Sequence, residues 1–232
     1  MKPLAIITGV GPGTGSSLAR RFAQDGYRVA MLARDAARLA DLERELEDSL
    51  AVPCDVADAA ALTAAVEDLI ARFGAPKAVV HNAVGGAFGS FQDIQPEVLE
   101  RNFQVNVMAL FHLARLTTPG MIAAGGGSLI VTGNTSALRG RANFAGFAPT
   151  KAAQRILAES LARDLGPKGV HVAYLVIDAV IDVPWTRERY PTAPDDFFIR
   201  PADIADEVFR LAHQPRSAWS FLAEVRPYAE TW

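Results

Sequence analysis

The 232-residue sequence is poor in most features that mark a specialised protein class. It has one cysteine, Cys54, which excludes an internal disulfide, and at the end of a strand-like run that thiol reads as buried and inert. No apolar stretch approaches the ~20 residues of a membrane span. The opening MKPLAIITGV contains only a short apolar run ending in Gly and Pro, which suits a strand better than a signal peptide. A cationic excess is also missing: 23 Lys and Arg stand against 26 Asp and Glu, net charge −3, with the signs interspersed. Nucleic acid and anionic membranes call for a basic stripe, so neither is expected as a partner. Repeats, linkers and low-complexity blocks are absent too. The expectation is a soluble cytoplasmic protein.

Half of the residues are hydrophobic, enough for a packed core. Apolar runs at 3–8, 28–33, 50–54, 77–82, 128–132, 170–177 and 220–225 read as strands. Most lack alternation, as strands buried on both faces should. Helical patterns fall between them, near 14–25, 36–48, 58–73, 96–119, 147–165 and 201–213. Asp35 and Asp58 suit N-caps, Pro96 and Pro201 suit first turns, and Gly26, Gly74, Gly125–Gly127 and Gly166 suit helix ends. Alternating strands and helices imply one α/β domain over 1–232, a parallel sheet of about seven strands with helices on both faces. The stretch 178–200 is too long for an ordinary connection and is expected to be an irregular substrate loop.

The first strand leads into TGVGPGTGSS (8–17). Thr8, Gly9, Gly13 and Gly15 fit the spacing T-G-x₃-G-x-G, with Thr14 inside the loop. Glycines here let the backbone turn tightly and approach a phosphate, whose charge the following helix N-terminus favours. The plain alternative is a flexible strand–helix turn.

With these motifs the chain resembles the short-chain dehydrogenase/reductase family over nearly its whole length. Other matches follow in order: CDV (54–56), with Asp55 and Val56 where the family contacts adenine; HNAV (81–84), with Asn82; Asn106; and Lys151. The resemblance implies a Rossmann-type doubly wound fold, a nicotinamide dinucleotide cofactor and hydride transfer to or from a small carbonyl or alcohol. It also implies a homodimer or homotetramer paired through the helices at 96–119 and 147–165, the second with a surface of Ala152, Ala153, Leu157 and Leu161. Where the family often has an acid for the ribose hydroxyl, this chain has Ala33 followed by Arg34, whose charge suits a 2′-phosphate. NADP is therefore expected over NAD, the alternative being a solvated Arg at a helix start.

The family's catalytic set is Asn, Ser, Tyr and Lys. Here the Tyr slot is Phe147, four residues before Lys151 in NFAGFAPTKAA, and the Ser slot is Asn134. The four tyrosines stand at 27, 174, 190 and 228, so no shift of alignment supplies the phenol. Phe can neither donate a proton nor stabilise an oxyanion. Lys151 is expected to bind ribose hydroxyls, Asn106 to act either at the site or as a helix-interior amide, and Asn134 to orient a substrate oxygen. Ile181 is expected to offer backbone groups to the nicotinamide amide. Phe144, Trp185 and Tyr190, together with Phe147, suggest an apolar small-molecule substrate. Arg187 and Arg189 are substrate-side candidates with solvation as an equal explanation, while His81 and His112 read as structural. No metal ligand set is expected. A second reading is a nucleotide-binding protein of this fold with little turnover.

Overall fold

The structure, a computed structural model, describes residues 2–230. Its strands are β1 (Leu4–Thr8), β2 (Arg28–Ala33), β3 (Ser49–Pro53), β4 (Ala78–His81), β5 (Gly127–Asn134), β6 (Val170–Ile177), β7 (Val180–Ile181), β8 (Phe198–Ile199) and β9 (Leu222–Val225). The α-helices are α1 (Thr14–Gln24), α2 (Ala36–Glu45), α3 (Ala59–Phe73), α4 (Pro96–Phe103), α5 (Ala109–Ala123), α6 (Ala148–Leu165), α7 (Pro184–Arg189) and α8 (Pro201–Ala212). Seven strands form one sheet in the order β3-β2-β1-β4-β5-β6-β9, and every pairing is parallel.

This is the α/β architecture expected from the alternation, and burial explains it. β1, β4 and β6 are buried at every position, so their unbroken Val/Ile/Leu runs meet helices on both sides of the sheet. One core contains Leu62, Leu110, Leu129 and Val172 on the α3–α5–α6 side. The other contains Leu18, Phe22, Leu39 and Val208 on the α1–α2–α8 side. Local signals set the ends: Asp35 accepts from the Arg38 amide, and Asp58 from those of Ala60 and Ala61.

Two expectations need correction. Residues 178–200 are not irregular: β7 pairs with β8, and α7 lies between them. Thr186 fastens this segment, its hydroxyl donating to Ile181 O (2.6 Å) and accepting from the Val183 amide (3.1 Å). As expected, Gly166 caps the end of α6, and the single 3₁₀ turn that follows is closed by Gly169 at φ +85°. Leu157 and Leu161 pack against the core, leaving Ile156 as the exposed apolar residue of α6. No described helix is long and apolar enough to cross a membrane.

The long helix over 96–123 is continuous but changes pitch. Gln104–Met108 form a π-helical turn between α4 and α5. Such a turn redirects side chains and alters which carbonyls are bonded along the helix, and here it contains Asn106.

Candidate active site

A cleft of about 1220 Å³ opens at the carboxyl edge of the sheet, between the β1–α1 loop, the ends of β2 and β3, α4 and the start of α7. Here the strand order reverses, the position where open parallel sheets bind ligands. Gly9, Gly13, Thr14, Gly15, Arg34, Asp55, Val56, Asn82, Ile181 and Trp185 all line it.

The glycines are fixed by space. Gly9 sits at φ +74°, and a Cβ there would lie 2.5 Å from the Ala83 backbone; one on Gly15 would lie 2.3 Å from Gly9 O. Gly11 faces open space, and the hydroxyl of Thr14 at the start of α1 is buried with no partner. An open cradle with a buried unspent hydroxyl and a helix N-terminus fits a phosphate group. Asn82 steadies the cradle, donating to Gly9 O (2.9 Å) while accepting from the Thr132 hydroxyl (3.0 Å). Thr8 lies beneath the loop, 3.0 Å from His81 Nδ1.

Arg34 is exposed at the opposite end of the cleft, without an ion pair among the described residues. Arg38 lies one helical turn on and pairs with Asp35 (3.0 Å). The sequence reading missed Arg38, although its i,i+4 spacing from Arg34 was the available signal. Arg101 of α4 reaches across to Asp55 (2.7 Å), whose other oxygen accepts from the Ala57 amide. Partial burial works to raise the Asp55 carboxyl, but Arg101 and the amide outweigh it and hold the group below its usual range.

The remaining predicted residues form a second group that does not line the cleft. Phe147 is 5% exposed, with its ring against Gly86 and edge-on to Phe88 at 5.7 Å. Lys151 is 2% exposed; its ammonium donates to Thr132 O (3.2 Å) and Gln154 Oε1 (2.5 Å), and burial lowers its pKa to about 7. Gln154 also donates to the Asn106 carbonyl (2.8 Å), and the Tyr174 hydroxyl donates to Gln154 Oε1 at 3.3 Å. The Asn106 amide is spent inside the protein, on Gly85 N, Gly85 O and the Thr150 hydroxyl.

Asn134 accepts from the Ser136 amide through Oδ1. Phe144 lies edge-on to Phe88 (5.1 Å) and lines a separate cavity of about 350 Å³ with Phe91, Arg141 and Pro149. Tyr190 stands outside the cleft, against Phe197. Arg187 is consumed by Asp182 and Asp195 (both 2.7 Å) and lies over the Phe198 ring. Neither Gln154 nor Tyr174 was singled out in the sequence. Gln154 shares a helix face with Lys151 at i,i+3, whereas Tyr174 carries no local signal.

His81 is fully buried with Nε2 unpartnered, and burial, aided by the Lys151 charge, lowers its pKa to about 3. An unfolded histidine takes a proton near 6.5. Between about 6.5 and 3 the unfolded chain therefore binds more protons, and stability falls as pH falls through that window. Urea unfolding at pH 7 and pH 4 is expected to show this loss, with a shallower slope in His81→Phe. An unchanged slope in the variant would assign the acid loss to other groups.

Together the fold and cleft define a doubly wound α/β protein with a glycine loop at the switch point of its sheet. Comparison with known proteins makes this specific. A family model described as short chain dehydrogenase matches residues 3–192, and the chain belongs to that family. It is 31% identical over 181 residues to a 7alpha-hydroxysteroid dehydrogenase of Escherichia coli strain K12, covering 76% of this chain and 71% of that one. Among solved structures it is similar to a metagenomic short-chain oxidoreductase in complex with NADP, with TM-score 0.85, 29% identity and 97% of both chains covered. It is also similar to an alcohol dehydrogenase from Thermococcus sibiricus complexed with 5-hydroxy-NADP, with TM-score 0.87, 25% identity, and 100% and 99% of the two chains covered.

Proposed function

We propose that this chain is an NADP(H)-dependent oxidoreductase, moving a hydride to or from a small, apolar carbonyl or alcohol substrate. The observation that carries this reading is the cleft itself. It has a glycine cradle in the middle, Ala33 where an NAD-selective site would place an acid followed by Arg34 without an ion pair among the described residues, and apolar Ile181, Val183 and Trp185 at the other end. The cofactor supplies the hydride when bound. The α1 N-terminus and Thr14 would hold its phosphates, Arg34 with Arg38 its 2′-phosphate, and Asp55 and Val56 its adenine side. Two structural neighbours complexed with NADP or its derivative support the same reading.

The protein's own proton chemistry is reduced. Phe147 has no hydroxyl, Asn134 can donate a hydrogen bond but no proton, and Lys151 is turned onto Thr132 and Gln154.

Calorimetric titration tests cofactor choice. A charge-assisted contact is worth about 1.5–3 kcal/mol, so Arg34→Asp is expected to weaken NADPH roughly 10- to 100-fold and leave NADH within a few-fold. An unchanged preference would overturn the assignment. NADPH binding without oxidation by any carbonyl would instead support a nucleotide-binding protein with little turnover.

We also place a homodimer or homotetramer contact on α4–α5 and α6, where Val98, Met108, Phe111 and Ile156 are exposed. Light scattering at micromolar concentration is expected to show at least a dimer, and a monomer would refute it.

A further inference from the structure

The apolar end of the cleft has two properties that belong together. It is rimmed by the large exposed apolar side chains Val84 (63%) and Trp185 (62%), and backed at Gly86 by the Phe147 ring, which Phe88 meets edge-on. It also lacks the groups a polar or charged substrate needs. Arg187 is neutralised by Asp182 and Asp195, Asn82 and Asn102 are spent on internal bonds, and Asp35 and Asp55 are held by Arg38 and Arg101 at the adenosine end. A sugar would find few partners here, and the carboxylate of Glu97, exposed on α4, is the acid left at the cleft without an ion pair among the described residues.

A hydride arriving at an ordinary ketone leaves an alkoxide, with a conjugate-acid pKa near that of water, about 16. Without a general acid such a step loses roughly 10²–10⁴ in rate. A phenol is far more acidic, with a pKa of about 10, so a phenolate product needs no protein proton in the transition state. The missing hydroxyls and the aromatic rim therefore select the same chemistry.

We propose that the substrate class of this cleft is an uncharged quinone, reduced by two electrons without a protein acid. The proposal rests on the cofactor reading given above. The balance is quinone plus NADPH plus H⁺ giving hydroquinone plus NADP⁺. One C–H bond of the reduced nicotinamide breaks, one O–H bond forms on the quinone and its ring becomes aromatic. The second oxygen keeps the electron pair as a phenolate and takes its proton from water. Trp185 provides a flat apolar surface against which the ring stacks.

The probe is 2,3-dimethyl-1,4-naphthoquinone, whose blocked ring carbons prevent addition of the Cys54 thiol. Calorimetry with NADPH comes first, and failure to bind would overturn the cofactor reading rather than this one. With binding established, titration of the probe into the NADP⁺-saturated protein is expected to quench tryptophan fluorescence saturably. Trp185→Phe should remove most of that quench. NADPH oxidation by the probe should exceed that by cyclohexanone at least 100-fold, and Phe147→Tyr should narrow this ratio at least tenfold by raising the ketone rate. Absence of a saturable quench, a quench that survives Trp185→Phe, a ratio near one, or a ratio untouched by Phe147→Tyr would each overturn the proposal.

Discussion

Phe147→Tyr combined with Asn134→Ser is expected to raise NADPH-dependent reduction of simple ketones by about 10²-fold, and Phe147→Tyr alone by about tenfold. The lower end of general-acid catalysis sets the figure. The upper end is out of reach because the structure keeps Lys151 elsewhere, its ammonium on Thr132 O and Gln154 Oε1 rather than in the cleft. A phenol at 147 would share a helix face with Lys151, four residues on, yet its ring must still fit against Gly86 and Phe88. The two hydroxyls act as a unit, so their effects need not add. Initial rates of NADPH oxidation with wild type and both variants check this. Vigorous wild-type turnover of ketones that Phe147→Tyr does not improve would show that another group delivers the proton, and Tyr190→Phe would be the next substitution to make.

Gly9→Ala is expected to abolish measurable NADPH binding and to destabilise the fold. Gly9 holds φ +74°, where an L side chain costs about 1–2 kcal/mol. The added methyl would also stand 2.5 Å from the Ala83 backbone, which cannot rotate away as a side chain can, and overpacking costs about 1–3 kcal/mol more. For a chain of this size each kcal/mol lowers Tm by about 2–4 °C, so a fall of roughly 5–15 °C is expected. Gly11→Ala is the matched control, because nothing lies within 4 Å of its added carbon. Thermal unfolding and calorimetry of the two variants read the contrast. Equal losses in both would mean that the loop's glycines answer to something other than the space around each.

The alternation of buried runs with helical periodicity was enough to give the parallel sheet and its helices, because a strand buried on both faces cannot afford polar positions. Asp35, Asp58, Pro96 and Pro201 marked helix starts for reasons local to a few residues. The glycine spacing after β1 marked a tight strand–helix turn, with Gly9 and Gly15 constrained by the loop and the end of β4, whereas Gly13 is constrained by Val183 from a distant segment. That Phe147 and Asn134 stand at positions 4 and 17 residues before Lys151 was likewise legible, being a matter of residue identity at fixed spacing.

What the sequence could not give was where these side chains go. The ammonium of Lys151 is directed by a Gln154 amide that is itself held by a backbone carbonyl in the π-helical turn, and by a Tyr174 hydroxyl from a distant strand. The segment 178–200 read as loop because its ladder is only two residues per strand, below any period a sequence can display. Arg187 looked available for substrate until Asp182 and Asp195 were seen to enclose it. Arg38 joined Arg34 at the cleft only once α2 was seen to start at that edge of it. Local spacing and burial period fix the elements, because those forces act over a few residues of chain. The roles of Lys151, Phe147 and Arg187 depend on partners as far as 61 residues away (Phe147 and Gly86, 147 − 86), and only the folded packing brings those together.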